Sequence, residues 1–163
     1  MAVAELIGAA IGVLLLVTVA YLLVGGTLST AETVVTAQKD LTLLQEARLR
    51  TGIMISHIET IQGTDLKFNV TNNGNEIIND LPHLDVYSFN KTKGDTYGYT
   101  HYTYDRYNLG DPGNWSITAF ENDNIHANEL DPGVNMSIRV IYINKPDSIQ
   151  VTTSNGVSAI SSV

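Results

Sequence analysis

The chain contains no cysteine. That excludes a disulfide framework, a thiol nucleophile and any thiolate-ligated metal site. Positive charge is scarce: 9 Lys and Arg stand against 17 Asp and Glu, for a formal net charge of −8. So few cations cannot build a phosphate-neutralising patch, which argues against nucleic acid as a partner. There is no G-x-S-x-G nucleophile elbow and no G-x-x-x-x-G-K-[ST] phosphate loop. The four histidines, His57, His83, His101 and His126, lack the i, i+4 spacing of a helical metal pair. They read as solvated strand or loop residues. No catalytic residue, cofactor or metal ligand is assigned, and an envelope enzyme would need a cluster of acids or histidines that the chain does not display.

Charge is also missing locally. From Leu6 to Val24, LIGAAIGVLLLVTVAYLLV, no residue is charged, and no Lys or Arg precedes the run. About 20 apolar residues cross a bilayer core, so this stretch reads as a transmembrane helix. A cleaved signal peptide would need a basic start and a shorter apolar core. Gly25-Gly26 is a weak point, yet residues 28–50 continue with strong helix formers. Val34, Ala37, Leu41, Leu44 and Arg48 form a narrow stripe of coiled-coil type. Gly8-Ala9-Ala10-Ile11-Gly12 is a G-x-x-x-G that permits close helix contact. The residues expected to pack against another helix are Glu5, Gly8, Gly12, Val34, Leu41 and Leu44. Gly52 is a reasonable stop. Residues 6–50 as one rod would measure roughly 68 Å at 1.5 Å per residue.

After Gly52 the composition changes. Residues 1–52 hold no asparagine and a net charge of −1; residues 53–163 hold 14 asparagines and −7. The expected domains are therefore a helical segment, 1–52, and an external domain, 53–163. Alternation of apolar and polar residues marks strands at Leu66–Thr71, around Leu84 and Val86, at Val134–Val140 and at Ile149–Val151. Val134, Met136, Ile138, Val140 and Tyr142 share one face. Turns are explicit at Asn72-Asn73-Gly74, Asp111-Pro112-Gly113, Asp131-Pro132-Gly133 and Asn155-Gly156. Seven or eight strands in this length predict an immunoglobulin-like β-sandwich with no long helix. The fold class is α+β in two parts: a long membrane-spanning helix, then an all-β sandwich.

The positive-inside rule is nearly silent, because the nearest cation after the apolar run is Lys39. Four N-x-[ST] sequons, at Asn69, Asn90, Asn114 and Asn135, favour an external domain and are candidate glycosylation sites. Asn69 and Asn135 fall on the polar faces of their strands. Residues 97–107 hold Tyr97, Tyr99, Tyr102, Tyr104 and Tyr107. Tyrosine buries a ring while keeping its hydroxyl wet, so these are candidate partner-binding residues. A tyrosine-rich hairpin that supports itself by cross-strand pairs accounts for them equally well. Residues 121–131 are rich in oxygen ligands but lack the EF-hand order and glycine, so they read as an acidic loop in preference to a calcium site.

Glu5 at the head of an apolar helix, an amphipathic extension and then a β domain resemble the type IV pilin plan. Phe68-Asn69-Val70-Thr71-Asn72-Asn73-Gly74, Leu84-Asp85-Val86-Tyr87, Leu130-Asp131-Pro132-Gly133 and Asn155-Gly156-Val157-Ser158 are similar to the archaellum accessory proteins of the FlaF/FlaG type. The resemblance implies a membrane-anchored, non-enzymatic stator whose external domain binds the surface-layer protein or a companion archaellum subunit and can form homo-oligomers. A filament subunit of archaellin or pilin type, its helix packed into a filament core, is the alternative it implies. One departure is that no basic residue and glycine precede the helix, as they do in class III pilin leaders. Either a leader has been removed, or the protein stays in the membrane unprocessed.

Overall fold

The computed structural model describes residues 2–61, 63–92, 96–107, 109–121 and 126–163. They divide into two compact units, Met1–Leu44 and Gln45–Val163. The first unit is helical over its described residues, part of a helix α1, Ala2–Arg50. Gly25-Gly26 does not break it. From Leu6 to Val24 the apolar side chains are exposed on every face, Leu6 at 74% and Tyr21 at 78% among them. A helix apolar all round has no wet side to offer and suits hydrocarbon on all sides. It is the one helix of the described residues long and apolar enough to cross a membrane. Thr18 Oγ1 donates to the Leu14 carbonyl at 2.8 Å, so its hydroxyl is already bonded inside the apolar run.

The described residues of the second unit form eight strands: β1 (Ile53–Ile61), β2 (Asp65–Asn72), β3 (Asp85–Thr92), β4 (Thr96–Tyr104), β5 (Asn114–Glu121), β6 (Asn135–Ile141), β7 (Ser148–Thr152) and β8 (Ser158–Ser162). Among the described residues a single 3₁₀ turn, Leu81–His83, carries Pro82 at its second position. The strands form two antiparallel sheets, β1-β2-β6-β5 and β4-β3-β7-β8. Among the described residues only a two-position parallel ladder joins them, Thr103 and Tyr104 of β4 against Asn114 and Trp115 of β5. In immunoglobulin lettering this order is A-B-E-D facing C′-C-F-G. The expected sandwich is present, and its strand order is of that type.

The core follows from alternation. Leu66, Phe68 and Val70 of β2 and Met136, Ile138 and Val140 of β6 are at most 1% exposed. They meet Val86, Ile149 and Val151 from the opposite sheet in one cluster. Each such side chain stabilises the fold by about 1.5–3 kcal/mol on burial. Where immunoglobulin domains of antibodies place a disulfide between sheets, this chain relies on Phe68, Trp115 and their neighbours. β1 is irregular: its register with β2 shifts between Ser56 and Glu59, and His57 sits at φ 51°. That is the signature of a β-bulge.

Candidate interaction surfaces

The last turn of α1, Gln45–Arg50, belongs to the second unit, and its orphan carbonyls find partners there. Asn75 and Glu76 both donate backbone N–H groups to the Arg50 carbonyl, at 2.7 and 3.2 Å, and Asn73 N–H donates to Gly52 O at 3.1 Å. Thr51 Oγ1 donates to Ala47 O at 2.8 Å and accepts from Asn155 Nδ2 at 2.7 Å. Arg48 reaches the Gly156 carbonyl at 3.3 Å. The loop that makes most of these contacts is organised by Asn72, fully buried. Its Nδ2 donates to Glu76 O at 2.7 Å and Leu130 O at 2.8 Å, and its Oδ1 accepts from Gly74 N at 3.0 Å. Gly74 is packed so tightly that a Cβ there would lie 2.3 Å from Gly52 N and 2.4 Å from Arg50 O. Two turns read from sequence, at Asn72-Asn73-Gly74 and Asn155-Gly156, are thus the clasp that holds the helix end.

The tyrosine segment divides by strand parity. Tyr102 is 1% exposed, in the core, its hydroxyl 2.8 Å from Ser88 Oγ. Burial pushes its phenol above the usual 10, opposed by the Ser88 hydrogen bond. It cannot face a partner, which corrects the expectation for that residue. Tyr104 is half-buried, its ring centroid 4.8 Å from that of Trp115. Tyr99 and Tyr107 are 74% and 78% exposed and remain available. The Tyr97 side chain lies outside the described residues. Two adjoining recesses of ≈ 430 and ≈ 450 Å³ share Pro82 and Tyr104 in their walls; Arg106 and Phe120 line the first, His83, His101 and Trp115 the second.

The Asn69 and Asn135 sequons face each other across β2 and β6. Asn69 pairs with Ser137, and Thr71 with Asn135. Ser137 Oγ donates to Asn69 Oδ1 at 2.9 Å, and Thr71 Oγ1 donates to Asn135 Oδ1 at 2.7 Å. Each sequon's hydroxyl therefore serves the other sequon's asparagine. Asn114 starts β5 half-buried, and Asn90 is half-buried on β3 beside Gly98.

Three histidines sit on aspartates: His83 on Asp80 at 2.5 Å, His101 on Asp85 at 3.1 Å and His126 on Asp131 at 2.9 Å. Sequence spacing gave no hint of the second pair, which forms across β3 and β4. The Asp80 hydrogen bond, then its negative charge, raises the His83 pKa above the ordinary 6.5. Any stability gained is complete below 6.5 and is lost as pH rises through the higher folded value. An NMR titration of His83 should show a midpoint above 6.5 that falls back in Asp80→Asn; an unmoved midpoint would reject this cause. Of the acidic loop 121–131, residues 122–125 lie outside the described residues.

Along α1, Glu5, Val34, Leu41 and Leu44 are exposed, and nothing lies within 4 Å of a Cβ built at Gly8 or Gly12. No protein-family model matches the chain, and no curated protein matches it. Solved structures do. The archaellum periplasmic stator protein complex of FlaF and FlaG from Sulfolobus acidocaldarius is similar at TM-score 0.50 and 22% identity, over 68% of this chain and 87% of that one. The archaellum periplasmic stator protein FlaG from the same organism aligns at TM-score 0.49 and 23% identity, over 69% of this chain and 99% of that one. The first of these likenesses is one of fold.

Proposed function

We propose that this chain is a non-enzymatic, membrane-anchored stator or anchor subunit of the archaeal motility filament, the archaellum. Its sandwich lies outside the membrane and binds the surface-layer protein or a companion subunit. The observation that carries this reading is an unbroken helix of membrane-crossing length whose last turn is clasped by a sandwich of the fold seen in the FlaF–FlaG stator complex. A rotating filament must push against something fixed, and a hydrogen-bonded joint transmits force where a loose linker would dissipate it. The acidic, sequon-bearing surface of the second unit supports an external position.

A filament subunit is the second reading. It is favoured by the open helix positions at Gly8 and Gly12 and by Glu5 at the helix head. Electron microscopy of sheared surface filaments, labelled against this chain, separates the two. The stator reading expects label at the cell envelope and none along the shaft. It also expects detergent-solubilised full-length chain to retain surface-layer protein or another archaellum subunit under native salt. Label along the shaft, or retention of neither partner, would overturn it.

A further inference from the structure

The parallel contact between β4 and β5 is short and comes late. β5 begins at Asn114, level with Thr103, so β4 from residue 96 to 102 is paired on one side only, to β3. No described strand covers the other side. The direction of its free backbone groups follows from parity. Thr103 N–H and Asp105 N–H point toward the β5 side, donating to Gly113 O and Trp115 O. Tyr97, Tyr99 and His101, two-residue steps away, therefore present their N–H and C=O groups along the same open edge.

This edge lacks the usual protections. Its pairing with β3 runs from Thr96 to Tyr102 without a register shift, and the strand TYGYTHYTY holds no proline, lysine or carboxylate. By contrast, β1 carries a bulge at His57 and the charge of Glu59. Long, flat, neutral edges template further strands. The occupant is indicated by the sequence of the edge itself. Thr96-Tyr97-Gly98-Tyr99-Thr100 is a palindrome about Gly98. In an antiparallel pair of two identical strands centred there, the register sets Tyr97 opposite Tyr99 and Thr96 opposite Thr100. The edge groups of Tyr97 and Tyr99 then meet in hydrogen-bonded pairs, as the parity requires. On a domain of net charge −7, this neutral strip is also where two copies approach without like-charge repulsion.

We propose that the open edge of β4 pairs with β4 of a second copy, antiparallel and centred on Gly98, to make one continuous sheet across the two sandwiches. Its isologous geometry closes at a dimer. The absence of native cysteine makes the register testable in full-length chain reconstituted in vesicles. Tyr97→Cys mixed with Tyr99→Cys places the two sulfurs on directly opposed residues, about 5.5 Å apart at Cα. Either variant alone sets them on diagonal positions, about 7–8 Å apart and too far to bridge. The mixture should form disulfide-linked dimer at least about tenfold more than either variant alone, with the buried Trp115 emission retained in all samples. In the unmodified chain, amide exchange at Tyr97 and Tyr99 should slow as the protein-to-lipid ratio rises, while β1 edge amides stay constant. Equal cross-linking in mixed and single samples, or exchange at Tyr97 and Tyr99 that ignores the ratio, would overturn the proposal.

Discussion

Alanine at Gly74 is expected to lower the thermal midpoint of the β domain by roughly 10 °C. The added methyl would sit 2.3 Å from Gly52 N, 2.4 Å from Arg50 O and 2.9 Å from Thr51 C. All three are backbone atoms, so no side chain can swing aside to admit it. They also belong to the segment that receives the Asn73, Asn75 and Glu76 N–H groups. Relief must come from parting the loop and the helix end, which gives up those bonds. Overpacking of this kind costs about 2–3 kcal/mol. Gly133→Ala is the control: it sits at φ 81° with nothing within 4 Å of its Cβ, so it carries backbone strain alone, about 1–2 kcal/mol. Trp115, the single tryptophan and buried, reports the transition by fluorescence. Gly74→Ala should also speed amide exchange at Asn75 and Glu76 well below the melting range. A midpoint no lower than that of Gly133→Ala would refute the clasp as a close-packed joint.

The elements legible in the sequence are those whose cause is local. α1 needs only an uncharged apolar run and helix formers after it. β2, β6 and β7 carry regular alternation, and all five residues placed on the inner face from Val134 to Tyr142 are buried. The strands not named in advance lack that cause. β1 loses its period at the His57 bulge, β5 shifts register between Ile117 and Ala119, and β8 is SAISS, whose two apolar residues are adjacent and show no alternation. Gly25-Gly26 stays helical because no proline, asparagine or aspartate within seven residues on either side imposes a competing turn. β4 shows why composition alone misleads: tyrosine suits either face. Parity then sends Tyr102 into the core and Tyr99 out of it, and parity is set by pairing with β3, not by the residue.

The clasp was half legible. Asn72-Asn73-Gly74 and Asn155-Gly156 were visible as turns, because Asn and Gly tolerate turn backbones. What they hold was not, since Asn155 meets Thr51 across about a hundred positions of chain. One signal was present: a helix that ends at Arg50 immediately before a strand at Ile53 leaves its last carbonyls to be satisfied by something other than its own chain continuation. Turns rich in N–H groups and amide side chains elsewhere in the domain are where such partners are found.

Asn72 should prove the costliest polar residue to replace. Its side chain makes three hydrogen bonds with no access to water, to Glu76 O, Leu130 O and Gly74 N. Alanine leaves all three without that partner, although Leu130 O keeps the Ile78 N–H at 3.2 Å. With about 1–3 kcal/mol for each buried group left unmade, a loss of roughly 3–5 kcal/mol is expected. Aspartate is the sharper test, because it keeps the shape and reverses the chemistry. It can still accept from Gly74, but it sets a carboxylate oxygen where the amide donated, against two carbonyls at 2.7 and 2.8 Å. Buried acceptors facing each other cost more than an empty site, so urea midpoints should fall in the order wild type, Asn72→Ala, Asn72→Asp. If Asn72→Asp matched wild type, shape and not donation would be what the loop requires, and the same amide could not be what holds the loop against the end of α1.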